Sequence, residues 1–542
     1  MSLKTTFPAE IPEDTRRLAE PLMAADSVYR LVGQTADEFI DEAQLAKLYA
    51  VEGRGAVNPV VLALVVVFQF VEKLPDRQAA LMAVMRLDWK YALRQRLEWA
   101  GFHYADLSNF RKRLLTHGQE RAVFEGVVSD LRDQGHIRRG GKQRTDSTHI
   151  LGVVEQLSRL ELVWEMLRMA LGALLSSDAV WVLRWLPASF VQQYSTRRED
   201  YRLSEEEVAQ EMQAAGQDGC WLLAQLDRHG TEQLRHLPEV AQLKRVLDEQ
   251  FEQGEGPPTP RPPQDCTGDV LGTPHDPDVR YRQQGSTGWQ GYQLQVTETA
   301  DEDQPVQFIT AVEVNSALAA DQLRLAPIQR RLARLDLLPA RHYVDQNYMS
   351  GHNLTASQRQ GIALRGLIGP DTSHKPQGFR LADFTIDLER QQATCPAGRQ
   401  AIVWSTTRPD RRNDVAYQVR FGRQCLACAH FGSGGCTASS QGRHLRITPY
   451  HDLSQARRHE ALQPSFQREM RTRAAIEGTV SELVRAHGAR QARYCGLTNN
   501  QLQAAFIAAA ANLKRLARCL ILVCAHHRLL FSGSRPCSYF YP

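Results

Sequence analysis

At 542 residues the chain is far longer than one ordinary domain, so two or three compact units with cores of their own are expected. Hydrophobic residues at 43% and charged residues at 23% are the proportions of a soluble globular protein and exclude a polar, disordered chain. The net charge of +4 excludes no partner, but its distribution is informative: between Arg443 and Arg518 thirteen Lys or Arg, twelve of them Arg, stand against five acids (Asp452, Glu460, Glu469, Glu477, Glu482). Arginine forks suit phosphate, so this is a polyanion-binding footprint, with a solvated helical face as the bland alternative.

The first residues, MSLKTTFPAE, lack the apolar stretch of a signal peptide. The longest aliphatic run, VVLALVVVF from Val60 to Phe68, is too short to cross a bilayer and follows Pro59, which suits a helix start. It predicts a buried core helix. With nothing to hold the chain on a membrane, a cytoplasmic, nucleoid-associated location and reduced cysteines are expected. Residues 1–135 predict a helical, DNA-binding N-terminal domain, because PVVLALVVVFQFVEKL, PDRQAALMAVMRLDWKYALRQRL and ADLSNFRKRLLTHGQERAVFEGVVSDLRDQG repeat apolar residues every three or four positions. Ser108 stands before a basic helix carrying Arg111, Lys112 and Arg113, which reads as a helix-turn-helix-like DNA contact or as the solvated basic face of a bundle.

QRTDSTHILG then places one carboxylate, Asp146, in a strand-like run, where a buried charge costs several kcal/mol unless compensated. Helical periodicity returns over a 151–265 insertion that ends in the proline-rich GEGPPTPRPPQD. Alternating strands follow at 289–299 and 305–316, then a helix from AADQLRLAPIQRRLARL, a strand ending at Asp345, the helix SGHNLTASQRQ and the strand IALRGLIG. A cysteine-bearing, β-rich insertion spans 376–450. Residues 451–535 close the chain with two long helices, about 453–487 and 500–530.

Strand, strand, strand, helix, strand, helix, strand and a late helix is the element order of an RNase H-like core, here predicted from 136–150 and 266–375. The fold class is therefore α+β/α/β multidomain, with a mixed-sheet catalytic core and two insertions. That fold brings together carboxylates from the first strand, the end of the fourth and a later helix, which points to Asp146, Asp345 and Glu477. Arg473 and Arg485, four before and eight after Glu477, share its broad side of the helix. Three such acids can hold two Mg²⁺ ions, with Mn²⁺ as a substitute, for phosphoryl transfer. The plainer reading has Asp146 and Asp345 capping turns and Glu477 on a helix surface.

Along nearly its whole length the chain resembles the DDE transposases of bacterial insertion sequences, in the branch with an InsH-type helical N-terminal domain. The resemblance rests on PVVLALVVVFQFVEKLPDRQAA with RLDWKYAL and DLSNFRKRLL, RTDSTHILG with LSRLELVWEMLR, HDPDVRYRQQGSTGWQGYQLQVTET, HYVDQNYMSGHNL, TCPAGRQ with CLAC, and RAAIEGTVSELVRAHGARQARYCGL with LQAAFIAAAANLKRL, in that order. It implies that Asp146, Asp345 and Glu477 are the family's metal-binding triad, and that the reaction is cleavage and strand transfer at transposon ends. The implied partners are double-stranded DNA, both terminal inverted repeats and target, and a second copy in a homodimer on DNA. Phosphate contacts are expected from Arg473, Arg485, Arg490 and Arg493. Departures from the family pattern are Gln346-Asn347 after the second acid, where a glycine is usual at the second position, Met470 in place of a tyrosine, and LTNNQLQ in place of a more basic segment. Asp276 and Asp278 are spare carboxylates, expected to pair structurally with Arg280.

Cys395, Cys425, Cys428 and Cys436 form one C-x29-C-x2-C-x7-C set that suits structural Zn²⁺ or reduced core cysteines, and His430 can replace one ligand. Cys220, Cys266, Cys495, Cys519, Cys524 and Cys537 are scattered and read as structural. In the last helix, Lys514, Arg515 and Arg518 are expected to interrupt an apolar surface that packs on the core, and to offer cations to DNA. The function read here is a DNA transposase. The rivals are a decayed or domesticated relative that only binds DNA, and a metal-dependent nuclease that does not join. No phosphate-binding loop of the ATPase type is present, since HIRRGGKQRTD lacks the spacing.

Overall fold

The structure is a computed structural model that describes residues 2–3, 5–154, 157–198, 203–252, 254, 256–266, 268–371, 378–409, 415–432 and 435–530, apart from the side chains of 284 and 522–530. Six principal helices build the N-terminal part: α1 (Val28–Phe39), α2 (Pro59–Glu72), α3 (Asp76–Met85), α4 (Leu87–Ala92), α5 (Ala105–Thr116) and α6 (Ala122–Asp133). Helix α2 starts where expected, with Pro59 in its first turn and the Asn58 side chain accepting from the Val60 N–H at 2.9 Å. It is buried on every side from Pro59 to Phe70, and Lys73, in a left-handed conformation, ends it. The helical run over 75–97 is divided at Arg86, whose backbone is extended. Ser108 caps nothing, because α5 already begins at Ala105.

A mixed six-stranded sheet follows. Strand β1 (Gly140–Leu151) pairs antiparallel with β3 (Thr287–Thr299) and parallel with β5 (Pro339–Val344), which pairs parallel with β6 (Ala363–Arg365). The far edge of β3 carries two strands end to end, β2 (Arg280–Gln284) and β4 (Ile309–Ser316). Strand β2, in DVRYRQQ, was not expected; a tight turn through Gly285, at φ 61°, folds it back on β3. The insertion holds α7 (Arg159–Val182), α8 (Glu205–His229) and α9 (Pro238–Gln250), the first two opened by the capping boxes Ser158/Glu161 and Ser204/Glu207. Helices α10 (Asp321–Arg334) and α11 (Gly351–Arg359) connect the later strands. The cysteine segment forms the pair β7 (Thr385–Asp387) and β8 (Gln392–Thr394) and the three-stranded β9 (Val403–Thr406), β10 (Tyr417–Arg420) and β11 (His444–Ile447). The long helix expected from 453 to 487 is four pieces, α12 (His451–Ala461), α13 (Pro464–Glu469), α14 (Arg471–Ala474) and α15 (Ile476–His487), the first break falling at Pro464. Helix α16 (Leu497–Leu530) ends the described chain.

The N-terminal helices, the sheet and α16 share one continuous hydrophobic core, whereas the insertion and the cysteine segment each have their own. The reason is α16: its stretch from Leu502 to Leu513 is buried on all sides and packs against α2, α6 and β4 together. In its middle the buried Asn512 bridges β4, accepting from the Ile309 N–H at 2.9 Å and donating to the Ile309 carbonyl at 2.8 Å.

Behind the sheet His342 is fully buried, with Nε2 2.7 Å from the Thr145 hydroxyl, and burial pushes its pKa down to about 3. The unfolded chain therefore binds a proton below about pH 6.5 that the folded chain refuses until about pH 3, so folding stability falls with pH across that window. Each pH unit costs about 1.4 kcal/mol. Denaturant titrations of wild type at pH 7 and pH 5 should differ by about 2 kcal/mol from this group, and His342→Gln should remove that difference.

Candidate active site and cysteine cluster

Asp146 lies mid-strand on β1, opposite Val296 of β3, and Asp345 directly follows the last residue of β5. Because β1 and β5 are parallel neighbours, with Thr145 opposite Val344, the two acids come out side by side from a separation of 345 − 146 = 199 residues. Glu477 is in the first turn of α15, and Arg473 stands just before it in α14. The Arg473 guanidinium gathers all three acids: Asp146 at 2.8 Å, Asp345 at 3.6 Å and Glu477 at 3.9 Å. Exposure rises across the set, with the Asp146 side chain 17% exposed, Asp345 37% and Glu477 71%. Burial pushes the Asp146 carboxyl up from its ordinary value against the pull of Arg473 and the Ser147 N–H, and the two neighbouring acids push the same way as burial. The Nε of Arg473 is buried without a partner, so this arginine is not fully satisfied where it stands.

Among the described residues no group of three His, Cys, Asp or Glu stands in a metal-holding arrangement. For the acids the physical reason is Arg473, toward which the carboxylates turn. Their chemistry nevertheless fits a hard divalent cation: three carboxylates converge within 4 Å of one positive centre, supplied here by a guanidinium. Gln346 and Asn347 form a 3₁₀ turn after Asp345 and need no left-handed residue, so the glycine usual at that place is replaced without backbone strain.

Beneath the three acids lies a buried charge network centred on Glu298. Glu298, on β3 directly opposite Arg144 of β1, has no exposed side-chain surface. It accepts from Arg144 at 2.7 Å, from the Thr479 hydroxyl at 2.5 Å and from Arg515 at 3.1 Å. Arg515 also binds Glu482 at 2.6 Å, Thr479 at 2.7 Å and the Gln307 carbonyl at 2.8 Å. Arg515 is thus spent inside the core and not presented to DNA. The signal that drew attention to Asp146, an acid in a strand-like run, was equally present for Glu298 in QVTET.

The other expected DNA contacts divide. Arg111 is buried in a two-pronged pair with Asp76, at 2.6 and 3.0 Å, against the Tyr494 ring. Arg490 donates to the His149 carbonyl at 2.9 Å, and Arg493 donates to the Leu74 carbonyl at 3.0 Å while lying over Phe70. These three tie the N-terminal helices, β1 and the segment before α16 together. Lys112 and Arg485 are exposed, and Arg113 lies over the Tyr49 ring. Asp276 and Asp278 do not pair with Arg280. Asp276 accepts from Tyr292 and from the Gly496 N–H, Asp278 accepts from the Leu497 N–H, and both hold the start of α16, while Arg280 pairs with Asp269.

Cys395, Cys425, Cys428 and Cys436 line one cavity of about 20 Å³, with His430 on its wall. Backbone N–H groups reach two of the sulfurs, Arg399 to Cys395 at 3.3 Å and Arg443 to Cys425 at 3.5 Å. Burial, with help from the other three cysteines, pushes the Cys436 thiol up. The cavity has room for one small ion, and sulfur donors fit a soft one, although the thiols surround the space without closing on it. Cys537 lies outside the described residues, as does the side chain of Cys524.

A mixed sheet that gathers three acids beside an arginine-rich helical segment has the makings of an enzyme acting on DNA. Residues 17–113 match the family described as Transposase domain (DUF772), and residues 394–517 match that described as Transposase DDE domain. Together the two matches identify a DDE-type transposase of an insertion-sequence family. The second match contains Glu477, Arg473 and the four clustered cysteines; Asp146 and Asp345 lie outside both. No curated protein and no solved structure gives a significant match to the chain. Among the described residues no helix is long and apolar enough to cross a membrane.

Proposed function

We propose that this transposase cuts the ends of its element and joins them to target DNA at a site built from Asp146, Asp345 and Glu477. The observation that carries the proposal is the convergence of the three acids on Arg473 from elements far apart in the chain. The strand order β4–β3–β1–β5–β6, with the first three antiparallel and the last two parallel to β1, supports an RNase H-like core. Asp146 and Asp345 would hold both of two Mg²⁺ ions, or Mn²⁺ in their place, and Glu477 would complete one site. The chemistry such ions supply when bound is activation of a water or 3′-hydroxyl and stabilisation of the leaving oxygen. Asp146, the most buried of the three, fixes the site to the sheet, and Glu477 brings the late helix to it. Arg473, released from the acids, stands next to where the scissile phosphate would sit and can take it in a fork. Lys112, Arg113 and Arg485 supply further phosphate contacts, and the reaction at two ends calls for a homodimer on the DNA in the nucleoid.

The test is cleavage and joining of DNA carrying the element's own ends, in Mg²⁺ or Mn²⁺, with wild type, Asp345→Asn and Glu477→Gln. Wild type should yield strand-transfer products, and both variants should lose them while still binding the ends. Cleavage without joined product would instead support the nuclease reading. Binding without cleavage in either ion would support a DNA-binding relative, the reading that Met470 favours.

For the cysteine cluster the proposal is one structural Zn²⁺ held by Cys395, Cys425, Cys428 and Cys436. The purified protein should carry close to one zinc per chain by elemental analysis, and Cys428→Ser should lose it and melt several degrees lower. Zinc-free wild type with the melting temperature of the loaded protein would refute this.

A further inference from the structure

Three elements meet at Glu298, and each also bears on the acid site. Arg144, two residues before Asp146, stands on the same face of β1, and Glu298 lies directly opposite it on β3. The register of β3 against β4 shifts between Thr297 and Glu298, an irregularity in the ladder directly at the network's central acid. From the late helical segment the network takes two groups that flank the acid. Arg144 donates to the Thr472 carbonyl at 2.7 Å, next to Arg473, and the Thr479 hydroxyl, two residues beyond Glu477, donates to Glu298 at 2.5 Å. Arg515 closes the network from α16 through Thr479 and Glu482.

We infer that Glu298, with Arg144 and Arg515, is a positioning device that sets where the Arg473–Glu477 segment stands over Asp146. The inference rests on the triad reading. Glu477 is itself mostly exposed at the start of α15, and the contacts on either side of it are what fix its distance from β1. A fully buried carboxylate facing two arginines is also a demanding way to hold a helix, since every member must be satisfied together. Apolar packing would secure α15 against the sheet as well, but it would leave the helix free to slide by fractions of an ångström. Charge-assisted bonds from Glu298 to a strand, a helix and a second helix leave no such freedom. Displacements near 1 Å, and loss of groups that orient metal ligands, cost ten- to a hundredfold in metal affinity or rate.

The test compares wild type, Glu298→Gln and Arg515→Lys by three readouts: Mn²⁺ affinity from titration calorimetry, cleavage kcat with end-DNA affinity, and amide hydrogen exchange across 471–487. Glu298→Gln should bind the ends within twofold of wild type, lose at least about tenfold in Mn²⁺ affinity and in kcat, and exchange faster at 471–480 with the β1 amides unchanged. Unchanged Mn²⁺ affinity and kcat would overturn the inference even if the melting temperature fell. Should Glu298→Gln fail to fold, Arg515→Lys carries the test with the same expected directions and the same overturning result. If wild type itself neither binds Mn²⁺ nor cuts, the triad reading fails, and exchange alone decides: faster exchange confined to 471–480 upholds the clamp, and unchanged exchange overturns it.

Discussion

Asp146→Asn should lower metal-dependent cleavage about a thousandfold while leaving affinity for the element's ends within twofold of wild type. The substitution preserves shape, and the amide oxygen can still accept from the Ser147 N–H at 2.8 Å. What it removes is the negative charge of the most buried of the three acids, one of the two that would hold both cations. Because burial, with Asp345 and Glu477 behind it, disfavours the charged Asp146 carboxyl more than its pair with Arg473 favours it, the variant should fold at least as firmly as wild type without metal. Gel assays of cleavage and binding on the same preparation check this. Cleavage within tenfold of wild type would remove Asp146 from the site.

Arg473→Gln should show the second large effect, and in the opposite sense for stability. Its guanidinium is the cation that three acids share, and both it and Asp146 are more than four-fifths covered. Breaking a pair so enclosed costs about 3 kcal/mol. Proton uptake limits the loss. Without Arg473 the Asp146 carboxyl rises further, the folded chain keeps a proton that the unfolded chain has released, and stability then falls as pH rises. The deficit against wild type should therefore be larger at the higher of two pH values, one acidic and one alkaline. Saturating Mg²⁺ should recover most of it, because a cation that binds only the folded state stabilises by mass action. Denaturant melts at the two pH values, with and without Mg²⁺, give the result; a variant as stable as wild type without metal at both pH values would refute the shared-cation account.

The convergence of Asp146, Asp345 and Glu477 was legible in the sequence, because an acid in a strand-like run, an acid at a strand end and an acid in an arginine-flanked helix are each locally unusual. Helix α2 was legible for a similar reason, its apolar run being opened by proline. The DNA contacts were less so. Arg111, Arg490 and Arg493 look like free cations in sequence, yet each has a partner in another element, Asp76, the His149 carbonyl or the Leu74 carbonyl. Charge composition counts cations and cannot tell which are engaged by groups tens or hundreds of residues away. Strand β2 was missed because its side chains are mostly polar and its pairing is supplied by β3 and the Gly285 turn.

Periodicity and isolated charges are local properties, and they were enough to place the helical start of the chain, the strand that carries Asp146, the strand that ends before Asp345, and the three acids as candidates. Local properties do not carry the joining of α16 with the N-terminal helices and the sheet in one core, the place of Arg473 among the acids, or the meeting of Glu298 with two arginines beneath them. Those outcomes depend on which buried charges find partners across hundreds of residues, and a buried carboxylate is held or expelled by its surroundings, not by its neighbours in the chain.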